Sequence, residues 1–146
     1  ARRLEPAMVA HANLVIAAQR HQRGNCARLW PQSRPYSFTL RQAAALATGV
    51  ADRLRRHRLP HGAPDLPNDP TARLHWLVSE MDAARGTLAG WPKDGDEIAD
   101  GHSHPHHGST VRLVRATADA LAAAMLVVVT QPLSSTSSVA TFHRTA

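Results

Sequence analysis

The chain has 146 residues, a single cysteine and a formal net charge of +6, with 43% hydrophobic and 19% charged residues. That length fits one domain with a real core, and the composition is too apolar for a chain disordered throughout. The lone Cys26 excludes an intrachain disulfide framework and any multi-cysteine zinc site.

In chain order, Glu5 to Gln22 reads as a first helix. Pro6 suits the first helical position, Gly24 lies just past the end, and Met8, Ala12, Val15 and Ile16 recur at helical spacing. Asn25 to Tyr36 holds two prolines and no sustained period, so it reads as an ordered crossing loop anchored by Trp30 and Tyr36. A second helix starts with a capping box, Thr39 and Gln42, and runs to about Arg58 before Pro60. Its apolar arc is Ala43, Leu46, Ala47, Val50, Leu54 and His57, with Arg41, Arg55, Arg56 and Arg58 outside it. His61 to Asn68, with Gly62, Pro64 and Pro67, has linker chemistry.

A third helix is expected from its cap Asp69 and Pro70 to near Gly90, with a stripe of Leu74, Leu77, Val78, Met81 and Leu88. Trp76 projects away from that stripe, so it meets either a second layer of the domain or an interface. Residues 92–108 are acidic first and then histidine-rich, with no helical pattern. Ser109 or Thr110 then caps a fourth helix ending near Thr130, before Pro132. Its main stripe is Val111, Val114, Ala118, Leu121, Met125 and Val128, and its second half is apolar all round, as in a helix buried in a bundle or clasped in an oligomer. The fold class expected is all-α, a bundle of about four helices with a long Pro-containing crossing loop and a His-rich loop before the last helix. Residues 1–132 form the domain and 133–146 a Ser/Thr-rich tail.

Charge is unevenly spread. Residues 1–60 carry eleven arginines against Glu5 and Asp52, a net of +9, whereas residues 61–146 carry six basic residues against nine acids, a net of −3. This polarity points to an anionic partner for the front of the protein or to a neighbour's acidic face. Lys93 is the only lysine, and a GC-rich genome produces such a bias without selection for phosphate recognition. Ala45 and Gly49 fit the small-residue positions of a helix-turn-helix, but Arg55 and Arg58 fall where its recognition helix needs apolar residues. One continuous amphipathic helix explains the same residues more simply.

Two functions follow. The first is a non-catalytic interaction or assembly subunit, binding a protein partner or a second copy through Trp76, Leu126, Val127 and Phe142. The second is a nucleic-acid-binding accessory protein that sets Arg41, Arg53, Arg55, Arg56 and Arg58 against the phosphates of DNA or RNA. His102, His104, His106 and His107 have the composition of a loop that weakly chelates a divalent transition metal, although their spacing preorganises no tetrahedral site. No nucleophile and base pair, phosphate-cradling glycine loop or dinucleotide signature favours an enzyme. The longest uninterrupted apolar run is Ala120 to Val129, short of the roughly 18 residues a bilayer-spanning helix requires. No membrane span and a cytoplasmic location are therefore the expectations.

Overall fold

The computed structural model describes residues 3–56, 66–88, 95, 97–98 and 107–132. Helix accounts for 75% of these residues, so the fold is mainly α-helical. The order is α1 (Pro6–Ala10), β1 (Val15–Ala17), α2 (Arg20–Leu29), a 3-10 helix (Pro31–Tyr36), β2 (Ser37–Thr39), α3 (Leu40–Arg55), α4 (Pro70–Ala83), a second 3-10 helix (Ala84–Leu88) and α5 (His107–Thr130).

The first departure from expectation is a small parallel sheet in place of one long first helix. Pro6 does open α1, but α1 ends at Ala10. The β-branched pair Val15 and Ile16 joins β1, which pairs with β2 in the register Val15↔Ser37, Ile16↔Phe38 and Ala17↔Thr39. Helix then restarts at Arg20, where the Gln22 Oε1 accepts from the amides of Ala18 and Gln19 at 3.0 and 3.2 Å. Thus α2 runs through Gly24 rather than stopping before it, and the expected loop becomes the end of α2 followed by a 3-10 helix. Tyr36 ties this layer together by donating from its hydroxyl to the Val9 carbonyl at 3.2 Å. Trp30 is 37% exposed and lies outside the buried core.

β2 is buried throughout and leads directly into α3. Thr39 caps α3 as expected, its Oγ1 accepting from the Gln42 amide at 3.2 Å. The buried arc of α3 contains Ala43, Leu46, Ala47, Val50, Ala51 and Leu54. Because much of this arc is alanine, neighbouring helices approach closely. The helix is unbroken through Gly49, where a β-carbon would meet only the Arg53 Nη1 at 3.8 Å. No turn interrupts it, so the helix-turn-helix arrangement is absent here.

α4 also begins as expected, Asp69 accepting from the Ala72 amide at 2.7 Å. It buries Arg73, Trp76, Leu77 and Met81. This corrects the expected arc: Leu74 and Val78 are only half-buried, while Trp76 is 6% exposed and belongs to the core. The layer that covers Trp76 is part of the same molecule, since α4 packs on α3, on α5 and on the first 3-10 helix. Phe38, Leu77, Met81, Leu121, Ala124 and Val128 join the α3 arc in a single core.

The end of α5 is held from inside. Arg73, 5% exposed, donates from Nε to the Pro67 carbonyl at 2.6 Å. Its Nη1 reaches the carbonyls of Val129 at 2.8 Å and Gln131 at 2.7 Å. A buried cation thus satisfies carbonyls that the helix end leaves open and sits at the negative end of its dipole. At its other end α5 starts at His107, so Ser109 and Thr110 lie inside the first turn and not at its cap.

Candidate interaction surface and arginine cleft

α5 is longer than α3, on which it packs. At 1.5 Å per residue its 24 residues span about 36 Å, against about 24 Å for the 16 residues of α3. The surplus lies in its first half. Of residues 111–120 only Thr117 is even half-buried, and Val111, Leu113 and Val114 are 51%, 38% and 36% exposed. The expected stripe therefore splits: Leu121 and Val128 enter the core, Met125 is half-buried, and Val111, Val114 and Ala118 face outward. Leu126 is 62% exposed, and Val127 is half-buried against the core. Phe142 lies outside the described residues.

One exposed row of α5 borders this apolar strip. Gly108, Arg112, Arg115, Asp119, Ala122 and Leu126 follow at intervals of four, three, four, three and four, the spacing of a coiled-coil face. Arg115 and Asp119 are 85% and 76% exposed, with Nε and Oδ2 4.0 Å apart, so they gain little from each other within one chain.

α5 also revises the membrane expectation. Its most apolar 18-residue window has a mean hydropathy of 1.8 and is only 17% buried, which meets the requirement for crossing a bilayer by length and composition. The earlier expectation counted only uninterrupted apolar residues, whereas a long helix carries Arg115 and Asp119 within such a window. The burial of Leu121, Ala124 and Val128 and the hold of Arg73 on its end tie α5 to the packed domain.

The arginines expected to meet an anion do not form one patch. Arg53, Arg55 and Arg56 share the last turn of α3, where Arg55 Nη1 lies 3.6 Å from Asp52 Oδ1. Arg41 is in the first turn, about 20 Å away along the helix axis, and donates to the Glu97 carbonyl at 3.4 Å. Arg58 lies outside the described residues. So do His102, His104 and His106; His107 is the exposed first residue of α5. Among the described residues no three His, Cys, Asp or Glu side chains gather in a way that could hold a metal ion.

A different set of arginines does converge. Arg23 and Gly24 of α2, Arg34 of the first 3-10 helix, Ser37 of β2, Asp82 at the end of α4 and Arg85 of the second 3-10 helix help to line a cleft of about 480 Å³. Arg85 is fixed on several sides. Its guanidinium lies 4.0 Å over the Phe38 ring, Nε donates to Asp82 Oδ1 at 2.5 Å, and Nη2 donates to the carbonyls of Arg34 at 2.7 Å and Ser37 at 3.0 Å. Arg23 Nη1 donates to Gln42 Oε1 at 2.8 Å. Ser37 is 1% exposed, and its Oγ has no hydrogen-bond partner. Sequence reasoning missed this cleft because its residues come from five elements between positions 23 and 85 and share no local motif.

These features define a small, mainly α-helical domain with one helix exposed along its first half. No protein family model, curated protein or solved structure matches the chain.

Proposed function

We propose that the protein is a non-catalytic assembly subunit whose partner is a second copy of the same chain, docked through the free half of α5. The observation that carries this reading is the row running from Gly108 to Leu126, which is self-complementary when reversed. In a twofold antiparallel pair the same flank of each helix meets, so with the axis level with Thr117 each residue faces the one equally far on the other side. Arg115 then faces Asp119 of the second copy, Arg112 faces Ala122, and Leu126 faces Gly108. Arg115 and Asp119 thus meet opposite charges, and the larger Arg112 and Leu126 meet small residues. The adjoining strip of Val111, Val114 and Ala118 supplies apolar surface, worth about 25 cal/mol per Å² removed from water.

Polyphosphate binding by α3 has less support, since Arg55 is already beside Asp52 and Arg41 is remote from the other arginines. Sedimentation equilibrium tests the assembly reading. Wild type should sediment as a dimer, and Leu126→Lys and Val114→Lys should each shift it toward the monomer without altering its helical circular dichroism. A monomeric wild type at high protein concentration rejects the proposal. So does a dimer unmoved by either change.

A further inference from the structure

We infer that the cleft between α2, the first 3-10 helix and the end of α4 binds a small molecule bearing a phosphate monoester. Among the described residues, three arginines and one carboxylate line it, a surplus of cations suited to the dianion of a phosphate monoester near neutral pH. Arginine also fits phosphate oxygens geometrically, because its planar fork offers paired N–H donors.

The three arginines are not equally committed. Arg85 spends Nε and Nη2 on Asp82 and on backbone carbonyls, which locks its plane over Phe38 and leaves Nη1 the donor without such a bond. Arg34 is exposed at the rim, and its guanidinium makes no hydrogen bond among the described residues. Arg23 bridges from Gln42 to the cleft wall. One cation is therefore fixed in place and another is free to close on a ligand.

The second, independent observation is Ser37. A buried hydroxyl without a partner is unfavourable, and such groups in folded proteins are normally satisfied. Ser37 lines the cleft, but its unpartnered Oγ is closed to solvent in the free protein, so a ligand oxygen would complete its hydrogen bonding only after the cleft wall opens around it. A volume of about 480 Å³ exceeds what one phosphate group fills and falls within the range of small-molecule pockets. Gly24 keeps the α2 wall open, with nothing within 4 Å of the place a β-carbon would take. The cleft is not part of a polyanion track, because Arg53, Arg55 and Arg56 lie at the far end of α3, away from β2.

Titration of the full chain with phenyl phosphate and with inorganic phosphate at constant ionic strength, followed by amide NMR, tests the site. Saturable shifts centred on Arg34, Ser37 and Arg85 are expected, with phenyl phosphate binding more tightly than inorganic phosphate. Arg34→Ala should weaken phenyl phosphate by about tenfold or more, as expected for losing a charge-assisted hydrogen bond. Ser37→Ala should weaken it several-fold while leaving the thermal midpoint unchanged or higher, since the serine hydroxyl makes no hydrogen bond in the free protein. That second variant separates a ligand contact from a structural role. Absent or non-saturable shifts at millimolar phenyl phosphate overturn the inference, as does unchanged affinity in Arg34→Ala. Binding of a single-stranded oligonucleotide without binding of phenyl phosphate overturns it equally.

Discussion

Replacing Arg73 should be among the most damaging single changes in this protein, although the residue is an arginine in a basic, arginine-rich chain. Its guanidinium makes three short hydrogen bonds to backbone carbonyls, at Pro67, Val129 and Gln131, from a side chain that is 5% exposed. A hydrogen bond involving a charged group contributes about 1.5–3 kcal/mol, and a cation at a partly buried helix C-terminus adds up to about 2 kcal/mol. Burying the guanidinium itself costs part of this, and Gln131, being only half-buried, can regain water. A net loss of about 3–5 kcal/mol for Arg73→Met is the result. Unlike a buried ion pair, this interaction cannot be exchanged for an apolar one, because the acceptors belong to the backbone and stay behind. For a chain near 150 residues that loss corresponds to a fall of about 8–16 °C in the thermal midpoint. Arg73→Lys keeps the charge but cannot reach the Pro67 carbonyl and the end of α5 together, so it should fall between the two. Urea unfolding followed by circular dichroism gives the numbers. A loss below about 1 kcal/mol for Arg73→Met would refute the reasoning.

Two further substitutions probe the packing. Gly49→Ala should stabilise the protein by about 0.5–1 kcal/mol, because α3 is continuous there and has room for a β-carbon; a lower urea midpoint would contradict that continuity. Trp76→Phe should cost less than about 1.5 kcal/mol, since the smaller ring removes a buried Nε1 that has no hydrogen-bond partner. Trp76→Ala should cost about 3–5 kcal/mol, and near-equal losses in the same urea series would show that Trp76 does not pack as described.

What could be read from the sequence was what the chain settles locally. Thr39 with Gln42 and Asp69 with Pro70 fix the starts of α3 and α4 within one turn, and both helices begin there. The alanine and leucine arc of α3 was equally plain. The first helix was misread because an apolar stretch such as Leu14–Ala17 fits either period, and its strand conformation depends on β2, some twenty residues further on. Whether Trp76 meets a second layer of the domain or an interface was open in the sequence, because hydropathy cannot tell how many faces of α4 will be covered. The role of Arg73 was not legible, since nothing near it in sequence marks carbonyls that arrive from Val129 and Gln131. The apolar character of α5 was legible. That its first half is exposed while Leu121, Ala124 and Val128 are buried follows only from how α5 packs on α3 and α4.

The most direct test of the assembly reading is a charge-exchange cycle at Arg115 and Asp119, scored by the dimer dissociation constant. Both side chains lie on the surface, so neither change threatens the fold. Arg115→Asp and Asp119→Arg each place like charges opposite one another in an antiparallel pair, and each should weaken the dimer. The double exchange restores opposite charges and should recover most of the wild-type affinity. Two single variants that dimerise as well as wild type, or a double variant no better than either single one, would contradict pairing through α5.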